Sequence, residues 1–94
     1  MHFTLVFKAL SDGTRRQILR MLAKGDLSAG EIAQRFALSR PSNSHHLNVL
    51  KRAGLVQDLR RGQHVAYSLN TTVFQELLGW LFEMMDAQER EGSR

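Results

Sequence analysis

Residues 39–52, SRPSNSHHLNVLKR, gather hydroxyls, amides, imidazoles and cations in one short stretch. At about 100° per residue in a helix, Leu47 and Leu50 share one face, with Asn43 between them one turn earlier. His45 lies nearly opposite, with Pro41, Asn48 and Arg52 beside it and Ser42 and Ser44 on the two flanks. Side chains of these types, turned away from a core, can reach base edges and phosphates in a DNA major groove. A solvated helix face would look the same. The stretch alone therefore leaves both readings open.

Other chemistries are harder to build from this chain. It has no cysteine, which excludes disulfides and thiolate metal sites. Its four histidines are His2, His45, His46 and His64. The adjacent pair would point about 100° apart on a helix and cannot both chelate one ion in the usual geometry. A zinc site built from His2 and the carboxylates of a second copy is the one arrangement left. No nucleophile, base and orienting acid stand together and no phosphate-binding loop occurs, so the chain is not expected to be an enzyme. No cofactor is implied.

Ninety-four residues suffice for one domain with a modest core. No apolar run approaches the ~20 residues that span a bilayer, and no signal-peptide pattern opens the chain, so the expected compartment is the cytoplasm. The net charge of +4 is unevenly placed: residues 1–70 carry eleven Lys and Arg against four acids, while residues 71–94 carry two against five. Only the first part suits a polyanion, and a basic surface is weak support when taken alone.

The elements that must position the polar face can be read from periodicity and punctuation. Phe3, Val6, Phe7 and Leu10 fall at helical spacing over residues 2–10. Asp12 should cap a second helix with apolar positions at Ile18, Leu19 and Leu22 and with Arg15, Arg16 and Arg20 mostly off that stripe. Lys24 and Gly25 should close it. Ser28 and Glu31 form an S-x-x-E capping box, with Ile32, Ala33 and Phe36 on the inner face of the helix it opens. Only Ala37 and Leu38 separate that helix from Ser39, itself a suitable N-cap, with Pro41 tolerated in the first turn and Gly54 as a left-handed stop. Two short helices so tightly joined over residues 28–53 read as a helix-turn-helix.

After Gly54 the period changes to two. Residues 55–60 and 63–69 read as the strands of a hairpin with Arg61 and Gly62 at its tip, so residues 55–69 would be a wing. Arg60, Arg61 and Gln63 then sit where a wing meets phosphates or a minor groove. Asn70 begins the cap of a last helix over residues 71–88, and residues 89–94 look frayed. That helix carries more apolar residues than a small core can cover. Its surplus predicts a homodimer in which helices 1–10 and 71–88 meet a second copy through Phe3, Phe7, Leu77, Leu78, Leu81, Phe82 and Met85. The fold class is mostly α with a small β-hairpin, a winged helix-turn-helix whose N- and C-terminal helices form the dimer interface, in a single domain covering 1–94.

This order of elements resembles the winged helix-turn-helix repressors of the ArsR/SmtB family. The likeness is carried by FKALSDGTRRQIL (7–19), LSAGEIAQRFALSRPSNSHHLNVLKRAGLV (27–56) and the wing RRGQHVAYSL (60–69). The run LNTTVFQELLGWL (69–81) and the short length are most similar to the metal-independent sporulation-delay autorepressors. The resemblance implies a repressor of a palindromic or near-palindromic operator, contacted by Arg40, Pro41, Ser42, Ser44 and His45 and by a wing at 60–63. For the subgroup it also implies autorepression relieved by a sequestering membrane-bound partner protein. Many relatives sense metals, but residues 71–94 contain no histidine for the usual site on paired terminal helices, so no metal effector is expected. A metal- or ligand-responsive repressor and a winged-helix protein-interaction module are the alternatives. The sequence departs from the family pattern at Gly13, where proline is usual, and at Asn43, where an apolar residue is usual. Asn43 should either pair with a backbone group or show that the helix phase is slightly different there. His46 matches a mostly structural position.

Overall fold

The computed structural model describes residues 3–92, with side chains described through Glu89. Five helices and three short strands follow in the order α1 (Thr4–Leu10), α2 (Gly13–Leu22), β1 (Leu27–Ser28), α3 (Ala29–Phe36), α4 (Arg40–Arg52), β2 (Val56–Arg61), β3 (His64–Leu69) and α5 (Thr71–Gly92). Local chemistry sets most of the boundaries. The Asp12 carboxylate accepts the Arg15 N–H at the start of α2, and that backbone bond holds its carboxyl below the ordinary aspartate range. Ser28 and Glu31 complete the expected capping box, each side chain accepting the other's backbone N–H. Ser39 caps α4 by accepting the Ser42 N–H.

The end of α4 shows why Gly54 is needed. The Gly54 N–H bonds to the Lys51 carbonyl and the Leu55 N–H reaches back to Leu50, which requires a left-handed residue between them. Gly54 supplies it with φ of 77°, and a Cβ there would also press within 3.2 Å of Val73. The chain thus turns sharply into β2 while α5 packs close behind.

Ile18, Leu19, Leu22, Ile32, Leu47, Leu50 and Leu55 form the centre of the core, joined by Val6 and Ala9 from α1 and by Val73 from α5. The sheet order is β1-β3-β2, antiparallel throughout. Its third strand was not expected: Leu27 and Ser28 pair with Tyr67 and Ala66. Two residues show no period, and Ser28 is at once the last strand residue and the cap of α3, so only the cap leaves a sequence signal.

Four further details differ from the reading of the sequence or resolve it. Arg61 pairs with His64, so the hairpin tip is Gly62 and Gln63, with Gly62 at φ 63°. Helix α5 continues through Gly92, because residues 84–91 are good helix formers with no breaker among them. Arg15 is buried, not off the stripe; at 100° per residue it falls between Leu22 and Leu19. Asn43 is buried and its Nδ2 donates to the Ala29 carbonyl at 3.0 Å, which fulfils the first of the two expectations and leaves the helix phase intact. That bond pins α4 to the first turn of α3. Asn43→Ala should lower unfolding stability by about 1–2 kcal/mol through the lost bond and the space left behind. Urea denaturation followed by circular dichroism measures this, and an unchanged midpoint would show that the bond carries no net stability.

Candidate nucleic-acid interface

Helix α4 is two-faced. Asn43, Leu47 and Leu50 are buried, while Arg40, Pro41, Ser42, Ser44, His45, Asn48 and Arg52 are all exposed. Every residue that the sequence assigned to base and phosphate contact on this helix is therefore free on its outer side. On the wing, Arg60, Arg61 and Gln63 are exposed as well. All ten are held on α4 or on the hairpin that directly follows it.

Two groups of side chains fix that arrangement, and neither was read from the sequence. Lys51 on the last turn of α4 donates to Asp58 on β2 at 3.1 Å. The lysine holds the Asp58 carboxyl below its ordinary range, and the pair ties the wing to the helix. As both groups are well exposed, this orients more than it stabilises. The second group joins α1, α2 and α4. The Arg15 guanidinium donates to the Ala9 carbonyl at 2.8 Å and the Lys8 carbonyl at 3.1 Å, and its Nη1 lies 3.2 Å from His46 Nδ1. Asp12 stands 3.9 Å from the same imidazole nitrogen. The pairing of Lys51 with Asp58 crosses elements and has no local spacing to announce it. Arg15 could have been found, since its angular position on α2 already lay within the apolar stripe.

The two histidines of α4 part company as the helix requires. His45 is exposed and His46 is half-buried, with ring centroids 5.8 Å apart. Among the described residues no group of three His, Asp or Glu side chains is placed to hold a metal ion. His2, the ligand considered for a zinc site shared with a second copy, lies outside the described residues.

Helix α5 leaves an apolar strip uncovered. Leu78, Leu81, Phe82 and Met85 are exposed, Phe82 by 58%, and Met84 beside them is exposed too. Phe7 on α1 is exposed, whereas Phe3 and Leu77 are half-buried against the chain's own core. Trp80 packs against both phenylalanines at the start of the chain, 5.7 Å from Phe3 and 5.6 Å from Phe7 by ring centroids. Of the seven residues expected at a dimer interface, five are thus available as surface and two also serve the monomer.

Residues 12–58 match the family described as bacterial regulatory protein, arsR family. The chain is 50% identical to the transcriptional repressor SdpR of Bacillus subtilis over 92% of its length and 96% of that protein. Its fold is similar to that of an ArsR-like transcriptional regulator from Rhodococcus, with a TM-score of 0.88, 32% identity, and coverage of 95% of this chain and 82% of that one. It is also similar, at TM-score 0.69 and 32% identity, to a homodimeric winged helix-turn-helix DNA-binding domain from Mycobacterium bovis, covering 87% of this chain and 76% of that domain.

Proposed function

Since this chain belongs to the arsR family of bacterial regulatory proteins, we propose that it acts as a homodimeric, sequence-specific repressor that inserts α4 into the major groove and lays the wing along the flanking backbone. The observation that carries this reading is the two-faced α4: every apolar anchor is buried and every candidate contact residue is exposed on the side away from the core. Arg40, Ser42, Ser44, His45 and Asn48 face the bases, Pro41 shapes the first turn of the helix, and Arg52, Arg60, Arg61 and Gln63 face phosphates. The two-fold symmetry of the dimer calls for a palindromic or near-palindromic operator. The protein works in the cytoplasm, where that operator is.

The test is selection of duplexes from a random library by the wild-type protein, followed by titration of the enriched duplex and of mixed-sequence DNA. His45→Ala should weaken binding to the enriched duplex by about 1–3 kcal/mol and leave binding to mixed-sequence DNA nearly unchanged. An equal loss on both would remove His45 from the specificity residues. A wild-type protein that enriches no sequence would make the fold a protein-interaction module instead.

We further infer that no metal effector is involved, on the grounds that the chain has no thiolate and its last helix no imidazole. Neither chelator nor low-micromolar zinc should shift the operator isotherm. A reproducible shift on adding zinc would restore the metal-sensor reading. Relief of repression by a sequestering membrane-bound partner is what the likeness to the autorepressor subgroup implies. No helix among the described residues is long and apolar enough to cross a membrane.

A further inference from the structure

Arg15 is only 8% exposed and is the one charged side chain buried among the described residues, in a small and mostly apolar core. Burying a cation is unfavourable unless its donors are satisfied, and an apolar side chain of similar volume usually fills such a site as well or better. What an apolar residue cannot do is join three helices in a fixed direction. Arg15 starts from the first turn of α2, donates through Nε and Nη2 to the last carbonyls of α1, and points Nη1 at His46 on α4. A guanidinium can only donate. The contact is therefore a hydrogen bond with His46 Nδ1 as its acceptor. His46 is the immediate neighbour of His45, the residue placed against the bases.

We propose that Arg15 is a positioning residue for DNA recognition: through its bond to His46 it sets the rotation of α4 relative to α1 and α2, and so links the helix facing the second subunit to the helix facing DNA. The inference rests on the DNA-binding reading above. A rotation of roughly 20° would carry a side-chain tip ~6 Å from the helix axis through about 2 Å, enough to take a base contact out of hydrogen-bonding range. Neither Arg15 nor His46 is in the exposed set, and of the four residues placed against phosphates only Arg52 lies on α4, so their effect should fall chiefly on specificity.

The experiment compares His46→Leu, which removes the acceptor, with His46→Asn, whose Oδ1 can take the place of Nδ1. Binding of the full-length protein is titrated on the duplex enriched by wild type and on mixed-sequence DNA. His46→Leu should lose about tenfold in preference for the enriched duplex, with a salt slope changed by no more than about one unit and unchanged helix content, and His46→Asn should stay within about threefold of wild type. Arg15→Met should lose a similar factor, and Arg15→Met with His46→Leu should be no worse than either alone. Losses that multiply in the double variant, or a preference that His46→Leu retains in full, would overturn the proposal. If Arg15→Met does not fold, the His46 pair decides the matter, because that half-buried ring can be replaced without emptying the core. Amide exchange of α4 in the DNA-free protein supplies a readout independent of binding: it should quicken in His46→Leu and not in His46→Asn. Unchanged exchange in both would also overturn the proposal. Should wild type enrich no duplex, the DNA-binding reading falls, while the exchange result still tells whether Arg15 holds α4.

Discussion

Leu81→Asp should turn the protein into a folded monomer that no longer holds its operator tightly. Leu81 is 43% exposed in the single chain and lies with Leu78, Phe82 and Met85 on the side of α5 that the core does not cover. In a homodimer this strip is where a second α5 packs, and a carboxylate placed there must lose its water among apolar side chains. The fold itself should survive, since Val73, Leu77 and Trp80 attach α5 to its own domain from the other side. Two recognition helices about 34 Å apart read successive turns of the duplex only while the subunits are linked. Separating them removes the gain from a second tethered contact, about 100-fold or more in affinity. Sedimentation equilibrium beside an operator titration measures both effects, with circular dichroism to follow helix content. A wild-type protein that sediments as a monomer at tens of micromolar would dispose of the dimer, and a monomeric variant with undiminished operator affinity would detach DNA recognition from α5.

Replacing both wing arginines should act on all DNA alike. Arg60 and Arg61 are neighbours on β2, so their side chains leave opposite faces of the ribbon, and both are exposed. On the proposed reading each neutralises a phosphate, and each lost contact should flatten the dependence of log K on log salt by close to one unit. Arg60→Ala with Arg61→Ala should therefore shrink the slope by about two and weaken enriched and mixed-sequence duplexes by the same factor. A full slope in the double variant would mean that the wing stays off the backbone.

The features written in one contiguous stretch were legible before any coordinates. Asp12, Ser28 with Glu31, Ser39 and Gly54 mark helix ends because caps and left-handed stops depend on single residues at fixed offsets. The outer face of α4 followed from helical period, and the uncovered strip of α5 from an excess of apolar residues over what a small core can hold. What escaped depends on residues distant in sequence. Strand β1 exists because β3 offers an edge to Leu27 and Ser28, not because two residues prefer to be extended. The bonds from Arg15 to α1 and α4 and from Lys51 to Asp58 cross between elements and follow only from how helices dock. The hairpin tip moved by one residue because register, not glycine placement, decides which pair closes the ladder. Of the candidate site, the exposed side chains were readable one by one, while of the groups that hold them in place only the burial of Arg15 was within reach of the helical period.

Helix α5 makes the lone subunit an elongated body of 58 × 25 × 22 Å. A rod with an apolar side and no mate is a species that mass action removes as concentration rises. If only the paired form grips DNA, the amount of competent protein grows as the square of total subunit below the dimerisation constant and linearly above it. Promoter occupancy around that threshold then rises up to twice as steeply with copy number as it would for a monomeric binder. A chain that silences its own transcription by this route would settle near that threshold, so that diverting a modest share of subunits elsewhere is enough to reopen the promoter.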